Sequence, residues 1–116
     1  MSLPTMTSID GLPVARMPVD IDAANAAQVE EILAGAVSPE PPCLILDLRE
    51  TRYLDSAGID MLFKLDERLR RRRQSLQLVV AETSPLRRLL QITGIDRTLP
   101  VHAELEDAGA RGRARL

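Results

Sequence analysis

Cys43 to Leu48 is an apolar run broken only by Asp47, and the residues after it decide how the rest of the chain must pack. A run this short and continuous reads as a strand covered on both faces. A polar turn follows, then Asp55-Ser56-Ala57-Gly58, then Ile59, Leu62, Leu65 and Leu69 at helical spacing. This pattern puts Ser56 at the N-cap of a long helix, beside free backbone N–H groups. A hydroxyl there is exposed, held by rigid elements, and able to carry a charge that the helix end feels.

Upstream, Ile9 to Met17 reads as a hairpin turning at Asp10-Gly11, with Pro13 marking an irregular second strand or one that begins near an edge. Val19-Asp20-Ile21-Asp22 leads into a helix with Ala26, Val29, Ile32, Leu33 and Ala36 as its stripe and Asp22 or Asn25 as its cap. Ser38-Pro39-Glu40-Pro41-Pro42 breaks the chain. Downstream, Asp60/Lys64, Asp66/Arg70 and Glu67/Arg71 are i,i+4 acid-to-base pairs on solvated faces. Leu76 to Ala81 is the next strand. Ser84 caps a third helix with Pro85 at its first position, Leu86, Leu89 and Leu90 as its stripe and Gly94 as its stop. Leu99-Pro100-Val101 reads as a last short strand. The order predicts an α/β fold, a small mixed sheet of an opening hairpin plus parallel strands, with helices packed mainly on one face.

With 116 residues the chain has room for one domain and a real core, and almost no aromatic residues fill it. A net charge of -2 supplies no field that draws nucleic acid or an anionic membrane. Fourteen of the 15 basic residues are Arg, a compositional bias. The single cysteine, Cys43, excludes an internal disulfide and reads as a small buried hydrophobe. Neither a membrane-length apolar run nor a signal-peptide pattern is visible, which places the protein in the cytoplasm. No Gly-rich phosphate loop, nucleophile–base pair or metal-ligand cluster appears, and His102 stands alone. The expectation is therefore a chain without cofactor, metal or catalytic residue, acted on by enzymes rather than one itself.

Leu46-Asp47-Leu48 through Leu54-Asp55-Ser56-Ala57-Gly58-Ile59 resembles the signature of STAS domains, the sulfate-transporter and anti-sigma-factor-antagonist family. Val19 to Asn25 resembles the family's first strand-to-helix turn, where an Asp matches Asp22. Ser84-Pro85, Leu89 and Thr93-Gly94-Ile95 are similar to its third helix and glycine stop. The resemblance spans residues 8–106, which makes this a STAS-like domain with flexible termini at 1–7 and 107–116. It implies a single-domain anti-sigma factor antagonist. Such proteins bind a kinase-type anti-sigma factor, which phosphorylates the serine matching Ser56; a metal-dependent serine phosphatase reverses the modification. The implied partner surface is Asp22, Asp55, Ser56, Ala57, Gly58 and Asp60 on a monomer or weak homodimer that neither contacts nucleic acid directly nor inserts into a membrane.

Phosphorylation would add about -1.5 to -2 charges. The helix N-terminus favours that charge and Asp22, Asp55 and Asp60 oppose it, so the switch is expected at the docking surface, without unfolding. Departures from the family pattern are Val19 and Gln74-Ser75 in place of glycines, Asp60 where a small or apolar residue is common, and a last helix that is short or missing. Simpler readings stand beside these. Ser56 is a plain N-cap, Asp22 a cap or turn former, Asp55 a turn residue, and Asp47 an anchor at the strand end. The Arg70 to Arg73 run is either a phosphate-binding patch or a solvated helix C-terminus. The Arg111, Arg113, Arg115 tail either touches nucleic acid or membrane or is disordered. Met61 and Phe63 flank the stripe and either face a partner or, for Met61, pack peripherally. As a whole, the protein is a phosphoswitch, a non-phosphorylated interaction module (a signalling scaffold or the soluble subunit of a lipid transporter), or, with least support, a nucleotide-binding or catalytic protein.

Overall fold

The structure, a computed structural model, describes residues 2–37 and 42–114. The break at 38–42 lies outside the described residues except for Pro42, as does Arg115. The chain opens with β1 (Thr5–Ile9) and β2 (Leu12–Arg16), joined through Asp10 and Gly11, both at positive φ (49° and 83°), the geometry a two-residue hairpin turn requires. A two-residue strand β3 (Asp20–Ile21) precedes α1 (Ala26–Ala34). Next come β4 (Cys43–Asp47), a second two-residue strand β5 (Tyr53–Leu54) and α2 (Ser56–Arg71). The chain continues with β6 (Ser75–Val79), α3 (Leu86–Thr93), β7 (Val101–His102) and α4 (Leu105–Ala114).

The main sheet has the order β1-β2-β4-β6-β7, antiparallel between β1 and β2 and parallel thereafter. Pro13 is tolerated because β2 pairs with β4 only from Val14 to Arg16, so its missing N–H costs no rung. β4 is buried at all five positions, as its apolar run demands. Leu44 and Leu46 face the larger core, filled by Val29 and Leu33 of α1, Leu62, Leu65 and Leu69 of α2, and Leu86 and Leu90 of α3. Burial of each α2 leucine contributes about 1.5–3 kcal/mol.

Cys43 and Ile45 point the other way, into a smaller cluster with Leu12, Val14, Val79 and Ala108. That second face is closed by α4, which corrects one expectation. Residues 107–114, read as a flexible end, are helical and bury Ala108, Gly109 and Gly112; of the two readings of the last helix, short or missing, the 10-residue α4 is the short one. Its contact stripe is made of small residues because it lies close to the sheet. A Cβ on Gly112 would stand 2.8 Å from Cys43 Sγ and 3.3 Å from Leu12 Cδ1. The opening strand likewise begins at Thr5, inside the segment 1–7 read as flexible.

Two smaller readings also change, and a third holds. Asp66 lies on a buried surface, its side chain 9% exposed, although its pairing with Arg70 is as expected. Met61 is core, not periphery. Ser84 does accept from the Leu86 N–H at 3.1 Å, the bond of an N-cap, although regular helix begins just after Pro85.

Candidate functional site at the mouth of the central helix

Between β4 and α2 the chain pairs β5 with β3 in parallel, Asp20 opposite Tyr53 and Ile21 opposite Leu54. This small seam brings the two loops that carry Asp22 and Asp55 to the same end of the domain. The Asp55 N–H donates to the Ile21 carbonyl at 3.3 Å, and Thr51 Oγ1 donates to the Pro18 carbonyl at 2.8 Å. Gly58 then passes so close that a Cβ there would stand 2.9 Å from Ile21 O and 2.4 Å from Leu54 Cδ1. Gly58 is thus a structural requirement of the mouth: no larger residue fits without moving the seam.

Asp55, not Ser56, is the N-cap of α2. Its extended backbone (φ -92°, ψ -172°) turns the carboxylate onto the helix, where Oδ1 accepts from the Ala57 and Gly58 N–H groups at 2.9 and 3.1 Å. Both Asp and Ser are good caps, so adjacent candidates are not separable by propensity alone. Ser56 shifts to the first helical position. It is exposed, and among the described residues its hydroxyl has no hydrogen-bond partner.

Asp22 is half-buried and engaged locally. Its Oδ1 accepts from the Ala24 N–H at 2.9 Å, while its carbonyl accepts from Ala26 N–H. Asn25 flanks α1 without a side-chain cap bond; its Oδ1 accepts from Asp22 N–H and its Nδ2 donates to the Ser2 and Asp20 carbonyls. Asp60 is exposed and paired with Lys64 at 2.8 Å, which offsets the charge it turns toward the mouth. Ala57 is half-buried against the core. The structure therefore brings Asp55, Ser56, Ala57, Gly58 and Asp60 onto one helical turn and its cap, with Asp22 on the adjoining loop.

One feature beside Ser56 was only partly readable. An open, mainly apolar groove of about 570 Å³ runs along it, walled by Tyr53, Ile59, Phe63, Leu89 and Thr93. Tyr53 is 53% exposed, and Ile92 on the same helix as Leu89 is 70% exposed. Phe63 stood out as off the core stripe. Tyr53 and Leu89 did not, because their approach depends on the fold of distant segments.

Asp47 anchors the end of β4 as read. Burial disfavours its charge, but the hydrogen bonds and charge of Arg49, at 2.8–3.1 Å, outweigh burial and hold its carboxyl below the usual Asp value. His102 lies beside Gln77, and burial lowers its pKa. Among the described residues no group of three or more His, Cys, Asp or Glu could hold a metal ion, and no helix is long and apolar enough to cross a membrane.

Residues 4–108 match the family described as STAS domain. The anti-sigma-F factor antagonist RsfB of Mycobacterium tuberculosis is 32% identical over 111 residues, covering 93% of this chain and 88% of RsfB. The crystal structure of an anti-sigma factor antagonist from Mycobacterium paratuberculosis superposes with a TM-score of 0.80 at 28% identity, over 95% of this chain and 92% of that one. The Bacillus cell fate determinant SpoIIAA, solved in the phosphorylated form, shares the fold with a TM-score of 0.63 at 18% identity, over 93% and 97% of the two chains. Since the match runs from the first strand through the helix mouth to the last helix, the protein belongs to the STAS domain family.

Proposed function

We propose that this protein is an anti-sigma factor antagonist whose binding to a kinase-type anti-sigma factor is switched off by phosphate on Ser56 and restored by a serine phosphatase. The observation that carries this reading is the exposed Ser56 hydroxyl on the first residue of α2, at the rim of an apolar groove. RsfB, an anti-sigma-F factor antagonist by name, supports the regulatory part, and SpoIIAA in its phosphorylated form supports the modification.

The local chemistry favours a change of contact over a change of fold. A phosphate on Ser56 meets the positive end of a 16-residue helix, which tolerates added negative charge. The Ala57 and Gly58 N–H groups are already held by Asp55, so the phosphate cannot tuck into the cap without displacing that carboxylate. It is left over the groove, where it desolvates poorly and repels an acidic or apolar partner surface. Asp55, Ser56, Ala57, Gly58 and Asp60, with Asp22 on the neighbouring loop, form the contact surface, and the groove takes apolar side chains of the partner.

The test is incubation with a kinase-type anti-sigma factor and ATP, followed by intact-mass measurement. Gain of one phosphate by the wild type and none by Ser56→Ala is the expected result. A stable complex with no mass gain would replace the switch by a non-phosphorylated interaction module.

A further inference from the structure

The main sheet ends in two edges of different kind. At one end β7 is only two residues long, and so short an edge offers little to pair with. At the other, β1 is the five-residue run Thr5-Met6-Thr7-Ser8-Ile9, bonded to β2 on one side only. Its pairing with β2 runs unbroken from Thr5–Arg16 to Ile9–Leu12, without a bulge. It carries neither charge nor proline, and Thr5, Thr7 and Ile9 are β-branched. Thr5 to Ser8 are exposed. The devices that usually blunt a sheet edge are thus missing along β1.

The hairpin fixes which backbone groups are left over. A two-residue turn makes its flanking residues, Ile9 and Leu12, a hydrogen-bonded pair, and by alternation Thr7–Val14 and Thr5–Arg16 are hydrogen-bonded pairs too. The far side of β2 agrees with this phase. Met17, two residues after Ala15, turns its N–H away from β1 and donates it to the Asp47 carbonyl at 2.9 Å. The N–H and C=O of Met6 and Ser8 therefore point away from β2, with no strand beyond them among the described residues.

We propose that β1 binds β1 of a second copy of this chain, antiparallel about a two-fold axis at Thr7, so that two five-stranded sheets become one. In that register Met6 of each copy lies opposite Ser8 of the other, and the outward N–H and C=O groups of both residues all gain partners. Thr7 faces Thr7 and Thr5 faces Ile9, cross-strand pairs of β-branched side chains. The strand brings no charge to repel its copy, and its two ends are complementary. Thr5, next to Arg16, is set beside the Ile9–Asp10 end of the other copy. Arg16 and Asp10 are both exposed, in solvent-screened pairs with Glu50 and Arg113. The chain itself supplies these matches, which favours a second copy over a foreign strand. β1 carries none of the residues at the mouth of α2, so the proposal stands or falls independently of the phosphoswitch. A single pair of edge strands buries little surface, and the dimer is accordingly weak and reversible.

Sedimentation equilibrium of the full chain, with its concentration raised to about 1 mM, tests this. The expected result is an average mass that climbs toward the dimer for wild type. Thr7→Lys alters an exposed position and sets two ammonium groups opposite each other across the axis. It should associate at least tenfold more weakly, with an unchanged circular dichroism spectrum. Mild oxidation reads the register, with the buried Cys43 left in place. Thr7→Cys should cross-link into a dimer, because facing Cα atoms of a non-hydrogen-bonded pair stand about 4.5 Å apart, and Ser8→Cys should do so at least tenfold more slowly. A wild type that stays monomeric throughout would overturn the proposal and leave this edge to a strand of another protein. Self-association untouched by Thr7→Lys, or equal cross-linking of the two cysteine variants, would overturn it in favour of a different contact between copies.

Discussion

At its start, α2 shows a bare hydroxyl, a carboxylate bound to its own backbone, and a groove of Tyr53, Ile59, Phe63 and Leu89 open to solvent. At its end the same helix runs into four consecutive arginines, Arg70 to Arg73, and three of them are engaged. Arg70 bonds Asp66 and the Thr98 carbonyl, Arg71 bonds Glu67, and Arg72 donates to the Ala34 carbonyl at 3.1 Å. One turn earlier, Arg68 reaches Glu30 and Glu31 on α1. The cationic end, which composition alone would nominate as a phosphate patch, is tied into the domain itself. The opposite end, whose carboxylates Asp22 and Asp55 bond only backbone N–H groups, keeps an exposed hydroxyl and an open apolar groove. Charge density is thus a poor guide to where this protein is available; unmet apolar surface and an idle hydroxyl are better ones.

The contrast predicts that substitutions at the mouth cost more than substitutions at the arginine end. Gly58→Val should have the largest effect, about 1–3 kcal/mol or more of lost stability in urea titration, because a branched side chain collides with Ile21 O and Leu54 Cδ1. A neutral outcome would mean that the β3–β5 seam yields freely. Next, Asp55→Ala should cost about 1 kcal/mol by uncapping Ala57 and Gly58 while leaving the sheet unchanged by circular dichroism.

Arg49→Ala acts on the strand end that leads into the mouth, and its effect should depend on pH. Asp47 has its folded pKa depressed below 3.8, so the stability it gains from Arg49 is present above that value and fades as pH falls through the folded pKa. The gap in melting temperature between wild type and Arg49→Ala should accordingly be constant near neutrality and narrow in acid. A gap that is flat across the acid range would show that Asp47 draws nothing from the pair. The smallest effect is expected for Arg68→Ala at the other end, since its pairing with Glu31 is solvent-screened. Its loss should shrink further in high salt, and a salt-insensitive loss would point to packing of the arginine stem instead.

The amino-acid sequence was most readable where one residue type has one physical use. Asp10-Gly11 demanded a tight turn, Ser84-Pro85 a helix start, Gly94 a left-handed stop, and the Cys43–Leu48 run a strand covered twice. The mouth of α2 was legible to within one residue, the error being the exchange of Asp55 and Ser56 as cap. Three elements, β3, β5 and α4, gave no pattern to read. A two-residue strand has no periodicity, so the β3–β5 seam was seen only as turn. In α4, Ala108, Gly109 and Gly112 make the buried stripe, and a helix that packs through small residues looks in sequence like a loose Gly/Ala/Arg tail. The groove beside Ser56 was half legible for a related reason: Phe63 breaks its own helix's stripe, whereas Tyr53 and Leu89 meet it only once the chain is folded.

The most direct test of the proposed switch is the affinity of the isolated protein for a kinase-type anti-sigma factor, measured for wild type, Ser56→Ala and Ser56→Asp with folding verified for each. Ser56→Asp should bind at least tenfold more weakly than wild type, about 1.4 kcal/mol, with Ser56→Ala close to wild type. Equal affinity for all three would contradict the claim that negative charge at the mouth of α2 turns the contact off.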